Sequence, residues 1–294
     1  MKYEQPAVLS RIERLELRAR RVVEGWLIGR QASPYLGSAT EFAAHRPYAT
    51  GDEPRHLDWK VFARTKRLVV KQFQEETHLP CWILVDASQS MRYGEANGWS
   101  KYDHAATLAV CLAYLLTQQQ DATGLAVVTE GSPRVVAAQA HPSQVTRIAE
   151  TLEQVMPAGG CNLPAAIRRI SAQWQRRALV ILIGDFLDDP RSLTDSLAEL
   201  RGRKHEAFVC HVLHGDELTF PFEGMTLFRG LEAVDQIESD PRSLRAAYLE
   251  QLNHFLGESR AACARAGVDH QLVDTREPLD ATLSRYLGFR HGRA

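Results

Sequence analysis

Apolar positions along the chain follow two alternating periods. Short, nearly unbroken runs such as "CWILV" at 81–85, "TGLAVVTE" at 123–130, "ALVILIG" at 178–184 and the segment 206–213 have the length and β-branched content of buried strands. Between them, three-to-four-residue periodicity predicts helices at about 100–119, 142–156, 162–174 and 190–202. Near the end, "DPRSLRAAYLEQLNHFLGESRAACARAG" predicts a long helix, "VDHQLVDT" a strand and "PLDATLSRYL" a last helix. "PRVVAAQ" reads as the hairpin partner of "TGLAVVTE". Strands alternating with helices predict an α/β fold: a doubly wound, mostly parallel sheet covered on both faces, with one antiparallel edge strand.

The first 78 residues break this rhythm. Residues 9–27 predict an amphipathic helix, with Leu9, Ile12, Leu15, Val22 and Trp26 near one face and Arg11, Arg14, Arg18 and Arg21 on the other. Residues 29–76 are rich in Gly, Pro and polar residues until "LVVKQFQ" reads as a strand. The expected division is therefore a smaller N-terminal helix and irregular/β subdomain at 1–78, then the α/β domain at 79–294 with an insertion around 214–240.

Composition narrows the function. With 294 residues and 45% hydrophobic content the chain can bury a large core, and 35 basic against 36 acidic residues leave no net field to steer it onto nucleic acid or an anionic membrane. The basic N-terminal helix and the scattered Lys60, Lys66 and Lys71 come without an aromatic platform for bases. The apolar runs are far shorter than the ~20 residues needed to span a bilayer, and the first residues lack the continuous apolar segment of a signal peptide, so a cytoplasmic location is expected. Cys81, Cys111, Cys161, Cys210 and Cys263 form no CxxC pair and signal neither a zinc knuckle nor a disulfide framework.

Candidate chemistry sits at strand ends. In doubly wound sheets ligands bind outside the carboxyl ends of strands, where strand order reverses. Asp86 and Asp185 each follow an apolar strand, so each carboxylate is delivered to the same rim. In "DASQS" the hydroxyls of Ser88 and Ser90 stand at alternate positions behind Asp86. Such hard oxygen donors suit Mg²⁺ or Mn²⁺. The same residues also make a plain Asx turn followed by a serine cap, and the spacing alone leaves both readings open.

At these residues the chain resembles a von Willebrand factor A domain, whose metal ion-dependent adhesion site combines DxSxS with a distant Thr and a distant Asp. Asp86, Ser88 and Ser90 match the first element and Asp185 the last. Where the Thr is expected, "GGCNL" places Cys161, a soft donor that Mg²⁺ disfavours, which implies a weakened site, one completed by water or Asn162, or a lost one. Upstream, "EFAAHRPYATGDEPRHLDWKVFARTKRLVVKQFQEE" resembles the signature R-x-Y-x-x-G-D-x-x-R-x-[IL]-D-W-x-x-x-A-R of the bacterial domain-of-unknown-function family 58, matched at Arg46, Tyr48, Gly51, Asp52, Arg55, Leu57, Asp58, Trp59, Ala63 and Arg64. The resemblance runs from about residue 25 to 288.

That block has two readings: an ion-pair network pinning an irregular segment, or a surface presented to a partner or an anion. The family resemblance implies an adaptor or chaperone-like factor working with a MoxR-type AAA+ ATPase or a client protein, the ion bridging to a partner carboxylate. The competing class is a metal-dependent hydrolase or phosphatase at the same rim, with His104 and His56 as candidate bases. No HExxH, GxSxG or Walker A sequence occurs, and a non-enzymatic role is expected. His205, His211 and His214, around one strand and its exit, read as metal ligands or as partly exposed structural residues.

Overall fold

The computed structural model describes residues 9–30, 42–48, 58–73, 79–174, 176–187, 190–231 and 236–291. The elements are α1 (Leu15–Arg30), β1 (Phe42–Pro47), α2 (Trp59–Thr65), β2 (Val69–Phe73), β3 (Cys81–Asp86), α3 (Lys101–Gln118), β4 (Thr123–Val128), β5 (Arg134–Gln139), α4 (Ser143–Glu153) and α5 (Leu163–Ser171). They continue with β6 (Leu179–Gly184), α6 (Pro190–Gly202), β7 (Glu206–Leu213), α7 (Gly215–Thr219), β8 (Thr226–Arg229), β9 (Gln236–Ser239), α8 (Pro241–Arg265), β10 (Asp269–Asp274) and α9 (Leu279–His291).

Six strands form the main sheet in the order β10-β7-β6-β3-β4-β5. Every neighbouring pair is parallel except β4 and β5, so the doubly wound, mostly parallel sheet with one antiparallel edge strand is present as expected. From β3 the chain builds one way through β4 and β5 and the other way through β6, β7 and β10. The reversal therefore lies between β3 and β6, whose residues Val85 and Ile183 are register partners.

Alternation along the strands fills both faces. Ile83 and Val85 enter a core shared with α1, α3, α4 and α9, whereas Leu84 and Leu182 enter a second core with α5 and α6. Each of these aliphatic side chains is fully buried and contributes roughly 1.5–3 kcal/mol by leaving water. The strands are consequently rigid supports for whatever stands at their ends.

The N-terminal division differs from the expectation in one element. The chain separates into a unit of residues 1–30 with 79–294 and a unit of residues 31–78. Helix α1 goes with the sheet because Leu15, Ala19, Val22, Val23 and Trp26 are all buried in the first core and the Trp26 indole donates to Ser284 Oγ at 2.9 Å. The helix also starts at Leu15 and not at residue 9. The Glu153 carboxylate of α4 accepts from the Leu15 amide at 2.6 Å, and the Arg18 guanidinium turns back to the Ile12 carbonyl at 2.6 and 3.0 Å. A tertiary cap thus fixes the start that periodicity placed earlier.

Arg18 leaves the expected basic face altogether. It is buried, lies 5.1 Å over the Trp99 ring and 3.8 Å from Asp103, and burial pulls its pKa down against the pull of Asp103.

In the smaller unit β1 and β2 pair antiparallel, with Arg46 opposite Val70. Tyr48 donates its amide to Leu68 and Asp58 donates its own to Val69. Asp58 is buried and caps α2 by accepting from the Val61 amide at 3.2 Å. Trp59 is more than half exposed with its edge toward Phe62, and Arg64 is exposed in the last turn of α2. Gly51, Asp52 and Arg55, together with His56, lie outside the described residues.

Candidate functional site

At the reversal point the carboxyl ends of β3 and β6 open into a cavity of about 300 Å³ lined by Asp86, Ser88, Ser90, Tyr93, Lys101, Cys161, Asp185, Leu187, Glu217, Arg229 and Leu231. The five residues singled out at the strand ends and in "GGCNL" therefore meet in one place. Asp86 is the last residue of β3, and the Ser88 amide donates to its Oδ1 at 2.8 Å. The Asx turn and the cavity are both real: one oxygen shapes the loop while the residue lines the opening. Ser88 and Ser90 bring their hydroxyl oxygens to 2.9 Å of each other.

Two loops hold this arrangement. The Gln89 amide donates to the Gly159 carbonyl at 2.8 Å and the Ala158 amide to the Ala87 carbonyl at 3.1 Å, which binds the "GGC" loop to the "DASQS" loop. Cys161 reaches the rim this way, and its thiol hydrogen-bonds the Asp86 carboxylate. Asn162 does not complete the site: its Oδ1 caps α5 by accepting from the Ala165 amide at 2.9 Å. On the other side Gly184 ends β6 against Asp86, where a Cβ would stand 2.7 Å from the Asp86 Cβ. Only a residue without a side chain lets the two strand ends close so tightly. Phe186, just past Asp185, holds φ of 47°, a left-handed conformation that is strained for an aromatic residue.

Asp86 and Asp185 are both almost fully buried. Burial, and then the charge of Asp185, push the Asp86 carboxyl up to about 7, while its hydrogen bonds from Ser88 and Cys161 act in the opposite direction. The floor of the cavity thus sets two buried carboxylates against each other. Asp86, Ser88, Ser90 and Asp185 form a set of hard oxygen donors that could hold a divalent cation, which would favour the ionised form of Asp86. Among the described residues no cluster of three or more His, Cys, Asp or Glu side chains is arranged to hold a metal, so any ion here depends on the serine hydroxyls.

Sequence reasoning missed the cation already in place. Lys101 is wholly buried, with Nζ 2.8 Å from Asp185 Oδ2 and 2.8 Å from Glu217 Oε1. Burial pulls its pKa down, and Asp185 and Glu217 more than reverse this, leaving it raised. A faint signal was available. Ser100 and Asp103 form a capping box around the start of α3, which puts Lys101 in the first turn, where the helix dipole disfavours a cation unless acids face it. Glu217 and Arg229 lie too far from the motif in sequence to have been found, whereas Tyr93, three residues after Ser90, was near it but belongs to no pattern of its own.

The histidines are structural and more buried than expected. His205 accepts from the Ala178 amide at 3.1 Å, His214 caps α7 by accepting from the Asp216 amide at 3.1 Å, and His211 contacts His270 at 3.2 Å. His104 is fully buried and accepts from the Trp99 indole at 3.3 Å.

Among the described residues no helix is long and apolar enough to cross a membrane. The chain is 26% identical over 243 residues to the uncharacterized protein Rv1480 of Mycobacterium tuberculosis, an overlap of 81% of this chain and 76% of that one. Solved structures similar to it include the conserved hypothetical protein BatB from Bacteroides thetaiotaomicron, at 12% identity and a TM-score of 0.49 over 74% of this chain and all of that one. The SpRpn10 VWA domain aligns at 10% identity and a TM-score of 0.42 over 71% of this chain and 95% of its own. The family described as "Protein of unknown function DUF58" matches residues 44–254, most of the chain, and this protein belongs to it, with the six-stranded, mostly parallel sheet as its core.

Proposed function

We propose that this chain is a cytoplasmic protein-interaction module that binds a partner's carboxylate at the rim of β3 and β6 through Mg²⁺ or Mn²⁺ held by Asp86, Ser88, Ser90 and Asp185. The observation that carries the reading is the pair of buried carboxylates delivered by adjacent parallel strands to one cavity, beside two hydroxyls. When bound, a divalent ion supplies a point of positive charge open to an outside oxygen ligand. The protein's own residues fix the donors: Gly184 lets the strand ends meet, the Asx turn aims the serines inward, and Lys101 holds Asp185 in place. The role is binding without turnover, as an adaptor or chaperone-like factor alongside a MoxR-type AAA+ ATPase or its client. The signature residues Arg46, Tyr48, Gly51, Asp52, Arg55, Asp58, Trp59 and Arg64 are a second place where such a partner would be met, and exposed Trp59 supports it.

The hydrolase alternative is less well supported: of its candidate bases, His104 is fully buried against Trp99 away from the cavity lining, and His56 lies outside the described residues.

The test is a pull-down from native lysate with wild type and Asp86→Ala, each in Mg²⁺ or EDTA, beside titration of both proteins with Mg²⁺ alone. A partner kept only by wild type with the ion supports the reading. Equal recovery in all four samples and no heat of Mg²⁺ binding would sink it.

A further inference from the structure

The cavity has a second side, formed by the insertion. β8 and β9 pair antiparallel, and β8 alternates: Thr226 and Phe228 are half-buried while Leu227 and Arg229 are exposed. The inner face is anchored by rings, with Phe228 stacked on Phe220 at 5.5 Å, edge-on to Phe222 at 5.5 Å, and Phe220 tilted on Tyr248 at 4.5 Å. Those contacts hold the hairpin to α8 and leave the other face outward. Along that face Met225 is 69% exposed, Leu227 47% and Leu231 38%, and across the mouth Leu187 is 48% exposed. Leu187, Arg229 and Leu231 line the same cavity as Asp86 and Asp185.

Arg229 is the uncommitted charge. Lys101 is occupied by Asp185 and Glu217, whereas among the described residues no carboxylate pairs with the Arg229 guanidinium. Its cross-strand neighbour is Gln236, which is neutral. Glu238 stands opposite Leu227, so among the described residues of β8 and β9 the carboxylate and the guanidinium sit at different register positions, and Arg229 is the one that lines the cavity.

We infer that the hairpin selects the partner: an extended protein segment whose aliphatic side chains lie along Met225, Leu227 and Leu231 and whose acidic end enters the cavity, paired by Arg229 at the mouth. This rests on the ion-binding reading, because an acid descending past Arg229 meets Asp86, Asp185 and Glu217 and is repelled unless a divalent cation is bound. Apolar side chains exposed in a row beside a charged mouth are the anatomy of an interface. The arginine sets its polarity.

The experiment is fluorescence anisotropy on the full chain with three labelled hexapeptides, each in Mg²⁺ and in EDTA. One peptide has four aliphatic residues followed by two acidic ones; in the second the acids are amides; in the third the aliphatic residues are serines. Wild type with Mg²⁺ binds the first at least about ten-fold more tightly than the others, and Arg229→Glu or Leu227→Ser with Leu231→Ser removes the preference. Circular dichroism confirms that these surface variants are folded. Loss of binding in Asp86→Ala and EDTA, with the hairpin variants unaffected, would overturn the hairpin's role and leave the ion reading standing. Loss only in the hairpin variants, with EDTA and Asp86→Ala unaffected, would keep the hairpin as the docking surface and overturn the entry of the acidic end toward the ion. Equal binding of all three peptides, or of none, would overturn the inference outright.

Discussion

The Lys101 ammonium lies 2.8 Å from Asp185, and neither residue is exposed to solvent beyond a few percent. A buried pair of this kind is fragile to the removal of one partner. Lys101→Met leaves Asp185 and Glu217 facing each other without a counter-charge, and a loss of about 3–5 kcal/mol is expected in urea unfolding. Adding Asp185→Asn and Glu217→Gln to that variant removes the uncompensated charges and is expected to restore much of the stability. No recovery would mean that Lys101 acts through packing and not through charge.

Asp86 predicts a pH dependence with a definite sign. Its folded-state pKa is raised to about 7 from the ordinary carboxylate value, first by burial and then by Asp185. A raised carboxyl contributes stability that is fully present below the unfolded pKa, near 4, and is lost as pH rises through about 7. Without divalent ions, wild type is expected to lose up to about 4 kcal/mol relative to Asp86→Asn between pH 4 and pH 8. Mg²⁺ at pH 8 is expected to return part of that loss to wild type alone. Parallel melting curves for the two proteins across this range would contradict the assignment.

Two histidines, His211 buried and His270 half-buried, act in the opposite direction. Burial lowers His211 to about 3 and His270 to about 4, each helped by a neighbouring positive or histidine group. A depressed histidine contributes stability above its unfolded pKa, near 6.5, that is lost as pH falls toward its folded value. His211→Phe, placed among Phe186, Phe255 and His270, is expected to flatten the acid side of the thermal stability profile between pH 6.5 and 4. An unchanged slope would show that other groups govern acid unfolding.

Cys161 offers a gain-of-function test. Its thiol sits at the rim and hydrogen-bonds Asp86. Cys161→Thr replaces a soft donor with a hydroxyl and is expected to tighten Mg²⁺ binding about ten-fold by calorimetry, while Cys161→Ala leaves it near the wild-type value. Equal affinities in all three proteins would place position 161 outside any ion's reach.

The sheet and its rim were legible in the sequence because both rest on local pattern. Unbroken aliphatic runs marked β3 and β6, and the first polar residue after each run marked the cavity. What was illegible depended on distant pairings. Nothing near Leu15 announces that Glu153 will cap it, and nothing near Lys101 announces Glu217. Arg18 was misplaced for a related reason: helical spacing sorts residues by face but not by what covers that face, and Trp99 and Asp103 make a buried arginine tolerable. The rim reading also missed Arg229, since a four-residue strand in an insertion carries too little pattern to point anywhere.

Glu217 divides its two oxygens between neighbours that belong to different parts of the molecule, Oε1 to Lys101 and Oε2 to the His214 amide at the start of the insertion. Lifting the insertion would strip a wholly buried ammonium of one of its two counter-ions, and displacing Asp185 would strip it of the other. The short helix α7 and the end of β6 are thereby coupled through a single ammonium, so a displacement of either one costs Lys101 a counter-ion.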